Sequence, residues 1–315
     1  VASESRTAIY VGIAATLLIA ATKFLAAGVT GSSAMVAEGV HSLVDSADGL
    51  LLLLGQHRAQ RPPDEHHPLG HGKELYFWAL IVSVLFFALG GGMSFYEGVQ
   101  HIMHPEAISD PTWNYVVLAT SAVFTLGSFV AAFRPFRRRA GDLGYWQAFR
   151  RSKDPTLFTL VLEDLADLVG LLLAFIGVYL SHRLAKPWLD GAASIGIGLV
   201  MAGVAALLAR ESKGLLIGEA ARPEQLALIQ RAAEDDPAVV AVRRPVTMHL
   251  GAHSILVAMD VEFEPKLSAG EIAGAVDRLE ALIRRSLPDA RHIYIEADSI
   301  RSAARERPAL PAGGR

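Results

Sequence analysis

The sequence predicts an α-helical membrane domain followed by a small α+β domain. Three observations lead there. Of 315 residues, 52% are hydrophobic and only 19% are charged, whereas soluble domains carry about a quarter charged residues. The apolar residues gather into stretches long enough to cross a bilayer, and all of these stretches precede Arg210. Beyond Arg210 the pattern changes to short segments, one of them strictly alternating.

A hydrocarbon core of roughly 30 Å needs about 20 apolar helical residues. Six segments qualify: Thr7–Val29, Ser33–Gln56, Glu74–Ile102, Trp113–Phe133, Thr156–Leu180 and Pro187–Leu208. The chain enters the first segment without a small-residue cleavage site after a short apolar core, so that segment is expected to be a span and not a signal peptide. Gln56–Lys73 carries Arg58, Arg61 and Lys73, and Arg134–Lys153 carries seven basic residues, from Arg134 to Lys153. The connections near Thr30 and His101–Thr112 carry no Lys or Arg. Basic loops stay on the cytoplasmic side, so both termini are expected there, with Arg183 and Lys186 a mild exception. Tyr76, Trp78, Trp113, Tyr115 and Trp188 sit near span ends, as interfacial aromatics do. Gly141–Arg151, mixing aromatics with arginines, reads either as a short interfacial helix or as a solvated basic loop.

After the spans, Pro223 opens a helix through Glu234, and Val239–Leu250 reads as a strand. In Ser254–Glu264, Ile255, Val257, Met259, Val261 and Phe263 fall on one face, with Asp260, Glu262 and Glu264 on the other. Ser268 and Glu271 form a capping box ahead of a helix carrying Ile272, Val276, Leu279 and Ile283. Ile293 and Ile295 mark a last strand. Helix, strand, strand, helix, strand is the pattern of a ferredoxin-like α+β sandwich. The expected fold is therefore six transmembrane helices (1–210) followed by a cytoplasmic α+β ferredoxin-like domain (211–300), with a disordered tail (301–315).

A net charge of −3 gives no reason to expect a nucleic acid partner. The chain has no cysteine, so a bound metal is limited to nitrogen and oxygen ligands. Ionisable groups inside a span cost at least a few kcal/mol and are functional by default. The second span holds His41 and Asp45; the fifth holds Glu163, Asp164 and Asp167. His41 with Asp45, and Glu163 with Asp167, are each four residues apart, stacked on one helix face. Two such pairs close a four-coordinate cage around one cation. Tetrahedral nitrogen and oxygen ligation suits Zn2+ first and also admits cobalt, manganese or ferrous iron. Lys23, Glu38, Asp48, Glu97 and Asp190, also in or near spans, are assigned to packing or pairing. In the first basic loop, Asp64, His67 and His71 have the spacing of a second metal site, with His66 as a spare imidazole, unless the loop is merely solvated. His249, His253, His292, Glu296 and Asp298 offer a third, regulatory grouping or scattered surface polarity.

These residues resemble the cation diffusion facilitator family, which includes zinc transporters. The segments that carry the resemblance are Gly31–Asp45 (GSSAMVAEGVHSLVD), Asp64–Gly72 (DEHHPLGHG) and Leu162–Asp167 (LEDLAD). Lys73–Trp78 (KELYFW), Gly144–Pro155 (GYWQAFRRSKDP) and Gly214–Glu219 (GLLIGE) are similar to the branch containing the mitochondrial zinc exporter of animals. The resemblance implies a homodimer that exports a divalent metal against inward protons. By position it implies a transport site of His41, Asp45, Glu163 and Asp167, and a loop site of Asp64, His67 and His71. Glu163 stands where the family's zinc pattern has histidine, which hardens the ligand set. The expected function is thus Zn2+/H+ antiport by alternating access in a lipid bilayer, taken to be a bacterial inner membrane, with no enzymatic activity. Export of Mn2+, Fe2+ or Co2+ is the alternative, then a non-transporting sensor. An intramembrane metallohydrolase stands last: the chain lacks His-Glu-x-x-His, and no general base is arranged beside His41.

Overall fold

The computed structural model describes residues 2–30, 33–104, 112–141, 144–151 and 153–297. These fall into two compact units, one within Val1–Arg61 and Lys73–Leu216, the other within Pro62–Gly72 and Ile217–Arg315. The tail from Arg301, Asp298, and the side chains of Glu38, His41 and Trp113 lie outside the described residues.

The first unit is helical: α1 (Ala2–Thr30), α2 (Ser33–Ala59), α3 (Glu74–Leu85) continuing through a π-helical turn (Phe86–Gly92) into α4 (Met93–Met103), α5 (Thr112–Ala140), α6 (Tyr145–Arg151), α7 (Pro155–Leu184) and α8 (Trp188–Ile217). Glu74–Met103, Asn114–Arg138 and Trp188–Ile217 are long and apolar enough to cross a membrane by length and composition. Leu25, Val123, Leu172 and Leu199 are exposed on this unit, as lipid-facing side chains are. The sequence expectation ends the last span at Leu208, but α8 runs on to Ile217. Burial of Leu208, Ser212 and Leu215 explains the extra turns, because their stripe continues the packed face beyond the charged Arg210 and Glu211.

Glycine sets how closely two of these helices approach. A Cβ on Gly98 would sit 2.6 Å from the Gly191 carbonyl oxygen, and one on Gly198 would sit 2.8 Å from that of Gly91. Small residues let membrane helices pack backbone to backbone. The π-helical turn spans the Gly90–Gly92 run, where an extra residue in the turn is accommodated without side-chain crowding. Polar contacts tie α1 to α2: Thr16 and Ser46 hydroxyls lie 2.8 Å apart, and Lys23 Nζ donates to Ser42 Oγ over 3.0 Å. Asp154 caps α7 by accepting from Thr156 N, with Pro155 preset for the first helical position. Of the two readings of Gly141–Arg151, the structure has a helix, α6, over Tyr145–Arg151. Its Ala148 and Phe149 are buried, with Phe149 edge-on to Phe158 at 5.0 Å, so this helix is packed into the helical core.

The second unit contains α9 (Pro223–Glu234), β1 (Val239–Val242), β2 (Val246–Gly251), β3 (Ser254–Phe263), α10 (Ala269–Ser286) and β4 (Ala290–Ala297). β3 is the centre: β1 and β2 pair antiparallel with its two halves, and β4 lies parallel to it across the α10 crossover. The expected single strand Val239–Leu250 is two, divided at Arg243–Pro245. Pro245 has no N–H for a ladder and breaks the pairing there. The alternation in β3 is present, with Ile255, Val257, Met259, Val261 and Phe263 in the core beneath α9 and α10. The capping box of α10 is also formed: Ser268 N donates to Glu271 Oε2 at 2.8 Å, and Glu271 N donates to Ser268 Oγ at 3.4 Å.

Candidate metal centres

Within the helical unit, α2 and α7 bring their carboxylates to one cavity. Asp45 and Asp48 from α2 and Glu163, Asp164 and Asp167 from α7 line a space of 40 Å³, together with Thr16 and Ser128. That is room for an ion with little accompanying water. Three residues after Asp45, Asp48 lies on nearly the same helix face. Asp164 is held by α5, accepting from Ser128 Oγ at 2.9 Å. Asp45, Asp164 and Asp167 also line a second cavity of about 720 Å³ that reaches His101, Asn114, Pro187 and Asp190 near the ends of α4, α5 and α8. His101 Nδ1 lies 3.9 Å from Asp190 Oδ2 in that wall.

Of the four residues expected in the cage, three, Asp45, Glu163 and Asp167, border the same cavity. His41 is on α2 with its side chain outside the described residues. Asp48 departs from its assignment to packing or pairing. It is 6% exposed, and its Oδ1 is buried without a hydrogen-bond partner among the described residues, as is Glu163 Oε1. A buried polar atom left unpaired is costly. The signal was in the spacing: positions 41, 45 and 48 follow the i, i+4, i+7 rule of one continuous helix face.

Among the described residues, one group of three has its ligand atoms within 4.8 Å of one another, and it is Asp64, His67 and His71. The loop is built for it. Asp64 Oδ1 accepts from the His66 and His67 backbone at 2.9 and 2.7 Å, an Asx turn. Gly70 at φ +86° turns the chain back, a conformation that favours glycine. Gly72 then packs so closely on Leu250 and Gly251 that a Cβ would overlap the Leu250 carbonyl. As a result His67 Nδ1 stands 3.2 Å from Asp64 Oδ1 and His71 Nε2 stands 3.3 Å from Asp64 Oδ2, with the two rings 4.3 Å apart. Ligands about 2.0–2.1 Å from a tetrahedral Zn2+ would be about 3.3 Å from each other. The His67 backbone N–H is the main reason the Asp64 carboxyl is held below its usual range. Asp64 is therefore ionised, as a ligand must be. His71 Nδ1 is buried with no hydrogen-bond partner among the described residues.

The sequence model of the cation efflux transmembrane domain matches residues 9–217. The chain belongs to the cation efflux family. This is a family of membrane transporters and not of enzymes, and the chain is an integral membrane protein. Mitochondrial proton-coupled zinc antiporters of Xenopus laevis and Homo sapiens are each 29% identical over 313 residues, covering 87% of this chain and 56% and 55% of theirs. The chain thus spans about half the length of these curated relatives. Metal tolerance protein C4 of Arabidopsis thaliana is 26% identical, covering 93% of this chain and 74% of its own. Magnetosome protein MamM of Magnetospirillum gryphiswaldense is 23% identical, covering 94% and 88%. The antiporters are named mitochondrial, so they lend no support to a bacterial inner membrane.

The third grouping expected in this cation efflux protein is not assembled among the described residues. His249 is buried on β2. His253 lies 3.7 Å from Asp289. His292 and Glu296 are on β4, opposite Leu256 and Asp260. Four residues of strand separate His292 from Glu296 by about 13 Å, too far for those two to share an ion.

Proposed function

We propose that this chain exports a divalent transition-metal cation, zinc first, in exchange for protons. The observation that carries the reading is the convergence of Asp45 from α2 with Glu163 and Asp167 from α7 on one ion-sized cavity. His41, one turn before Asp45, completes the set. The name of the antiporters it resembles, proton-coupled and zinc-transporting, agrees with this.

The chemistry follows from the donor set. Carboxylates crowded in a low-dielectric cavity repel each other unless protons or a cation neutralise them. Metal and protons compete for the same lone pairs, so loading one expels the other. Under the proposed topology, six spans with both termini cytoplasmic, the 720 Å³ cavity faces outward. The structure then corresponds to the releasing arm of an alternating-access cycle. Asp64, His67 and His71 form a cytoplasmic metal site separate from the pathway. The ferredoxin-like domain that follows α8 joins two protomers in a homodimer.

Metal flux into sealed proteoliposomes, taken metal by metal with and without a pH gradient, tests this. Zinc movement that is accelerated by an opposing proton gradient is expected. Equal movement with and without the gradient would remove the antiport, and no movement of any divalent metal would remove the transport reading.

A further inference from the structure

We propose that Asp48 is a ligand of the transported cation, facing Glu163 across the cavity, and that the oxygen-rich site so formed accepts Mn2+ as well as Zn2+. The proposal rests on the transport reading above and goes beyond its four-residue cage.

The lining of the cavity points to a ligand. Asp48 Oδ1 and Glu163 Oε1 are both buried and both lack a hydrogen-bond partner among the described residues, although each belongs to a side chain lining the same 40 Å³ cavity. Two unpaired carboxylate oxygens turned toward one small space are tolerated when a cation sits between them. The remaining lining donors are oxygens too: Asp45, Asp164, Asp167, and the hydroxyls of Thr16 and Ser128. Of these, Asp164 Oδ2 is engaged by Ser128 and the Thr16 hydroxyl by Ser46. Among the described residues, Asp48 Oδ1 and Glu163 Oε1 are the lining carboxylate oxygens that are buried without a hydrogen-bond partner. Carboxylate-rich sites suit hard cations that take six oxygen ligands, Mn2+ among them, whereas zinc favours four ligands with nitrogen included.

The full chain in sealed liposomes decides it. Wild type, Asp48→Asn, Asp48→Glu and Asp45→Ala are compared for Mn2+ and Zn2+ flux, and for Mn2+ and Zn2+ affinity in detergent. Wild type is expected to carry both metals. Asp48→Asn is expected to weaken Mn2+ affinity and flux by about tenfold or more, since even outer-shell partners of a metal are worth that much, and to affect Zn2+ less. Wild type that carries zinc but not Mn2+, or Asp48→Asn with unchanged Mn2+ affinity, would overturn the proposal. If asparagine at this position prevents folding, Asp48→Glu carries the test: the longer carboxylate must change the Mn2+ to Zn2+ flux ratio, and an unchanged ratio overturns it. Asp45→Ala separates the two readings. If it stops flux while Asp48→Asn changes nothing, only the role of Asp48 falls; if it leaves flux intact, the transport site itself falls.

Discussion

Ser128 Oγ on α5 donates to Asp164 Oδ2 on α7 over 2.9 Å. This bond fixes one carboxylate of the cavity and anchors the helix that carries Glu163 and Asp167. Ser128→Ala leaves a half-buried acid without its donor, at a cost of about 1–3 kcal/mol. The expected outcome is a lower melting temperature in detergent together with slower metal flux. An unshifted melt would show that the bond does not anchor α7.

The loop cluster makes a separate prediction. His71→Ala removes a side chain whose Nε2 stands 3.3 Å from Asp64 Oδ2. Purified protein should lose one bound zinc per chain, while flux through the intramembrane cavity persists. Equilibrium dialysis against zinc counts the ions, and an unchanged count would remove metal binding from the loop.

Gly98 and Gly191 face each other with backbone in contact. Gly98→Leu therefore forces α4 and α8 apart. Overpacking of this kind costs about 1–3 kcal/mol. Thermal denaturation should show the loss, and Gly203→Leu, where a Cβ meets nothing within 4 Å, should not.

Much of this architecture was legible in the sequence, because hydropathy and side-chain period report burial directly. The alternation in Ser254–Phe263 and the Ser268–Glu271 cap are local signals that tertiary contacts only reinforced. For Asp48 the spacing from His41 and Asp45 gave the helix face, but its other distinguishing property, a buried oxygen without a partner, was not legible. Whether Oδ1 finds one depends on Glu163, more than a hundred residues away. The division of Val239–Leu250 was visible in Pro245 and was outweighed by the valines around it. The packing of Phe149 against Phe158 depends on how α6 returns to α7, which no local pattern encodes. Asp64, His67 and His71 are close in sequence, so a turn of a few residues brings them together, and their spacing sufficed to expect that proximity.

The second unit offers a test of pH dependence. Arg278 donates to both oxygens of Asp236, at 3.0 and 2.9 Å, and this pairing holds the Asp236 carboxyl below its usual range. A group whose pKa is lowered on folding stabilises above its unfolded pKa, about 3.9 for Asp. That contribution is lost as pH falls through the lower, folded value. Arg278→Met should lower stability near neutral pH, and the gap from wild type should close under acid conditions below that range. A gap that stays constant down to the lowest pH at which the protein folds would contradict the assignment.

The most direct test of the intramembrane site is zinc-driven proton movement in sealed proteoliposomes, followed by an internal pH dye, for wild type and Asp45→Ala. The account predicts a zinc-dependent pH change in wild type and none in the variant, at equal reconstitution and with a monodisperse protein. A variant that moves protons in response to zinc as wild type does would contradict it.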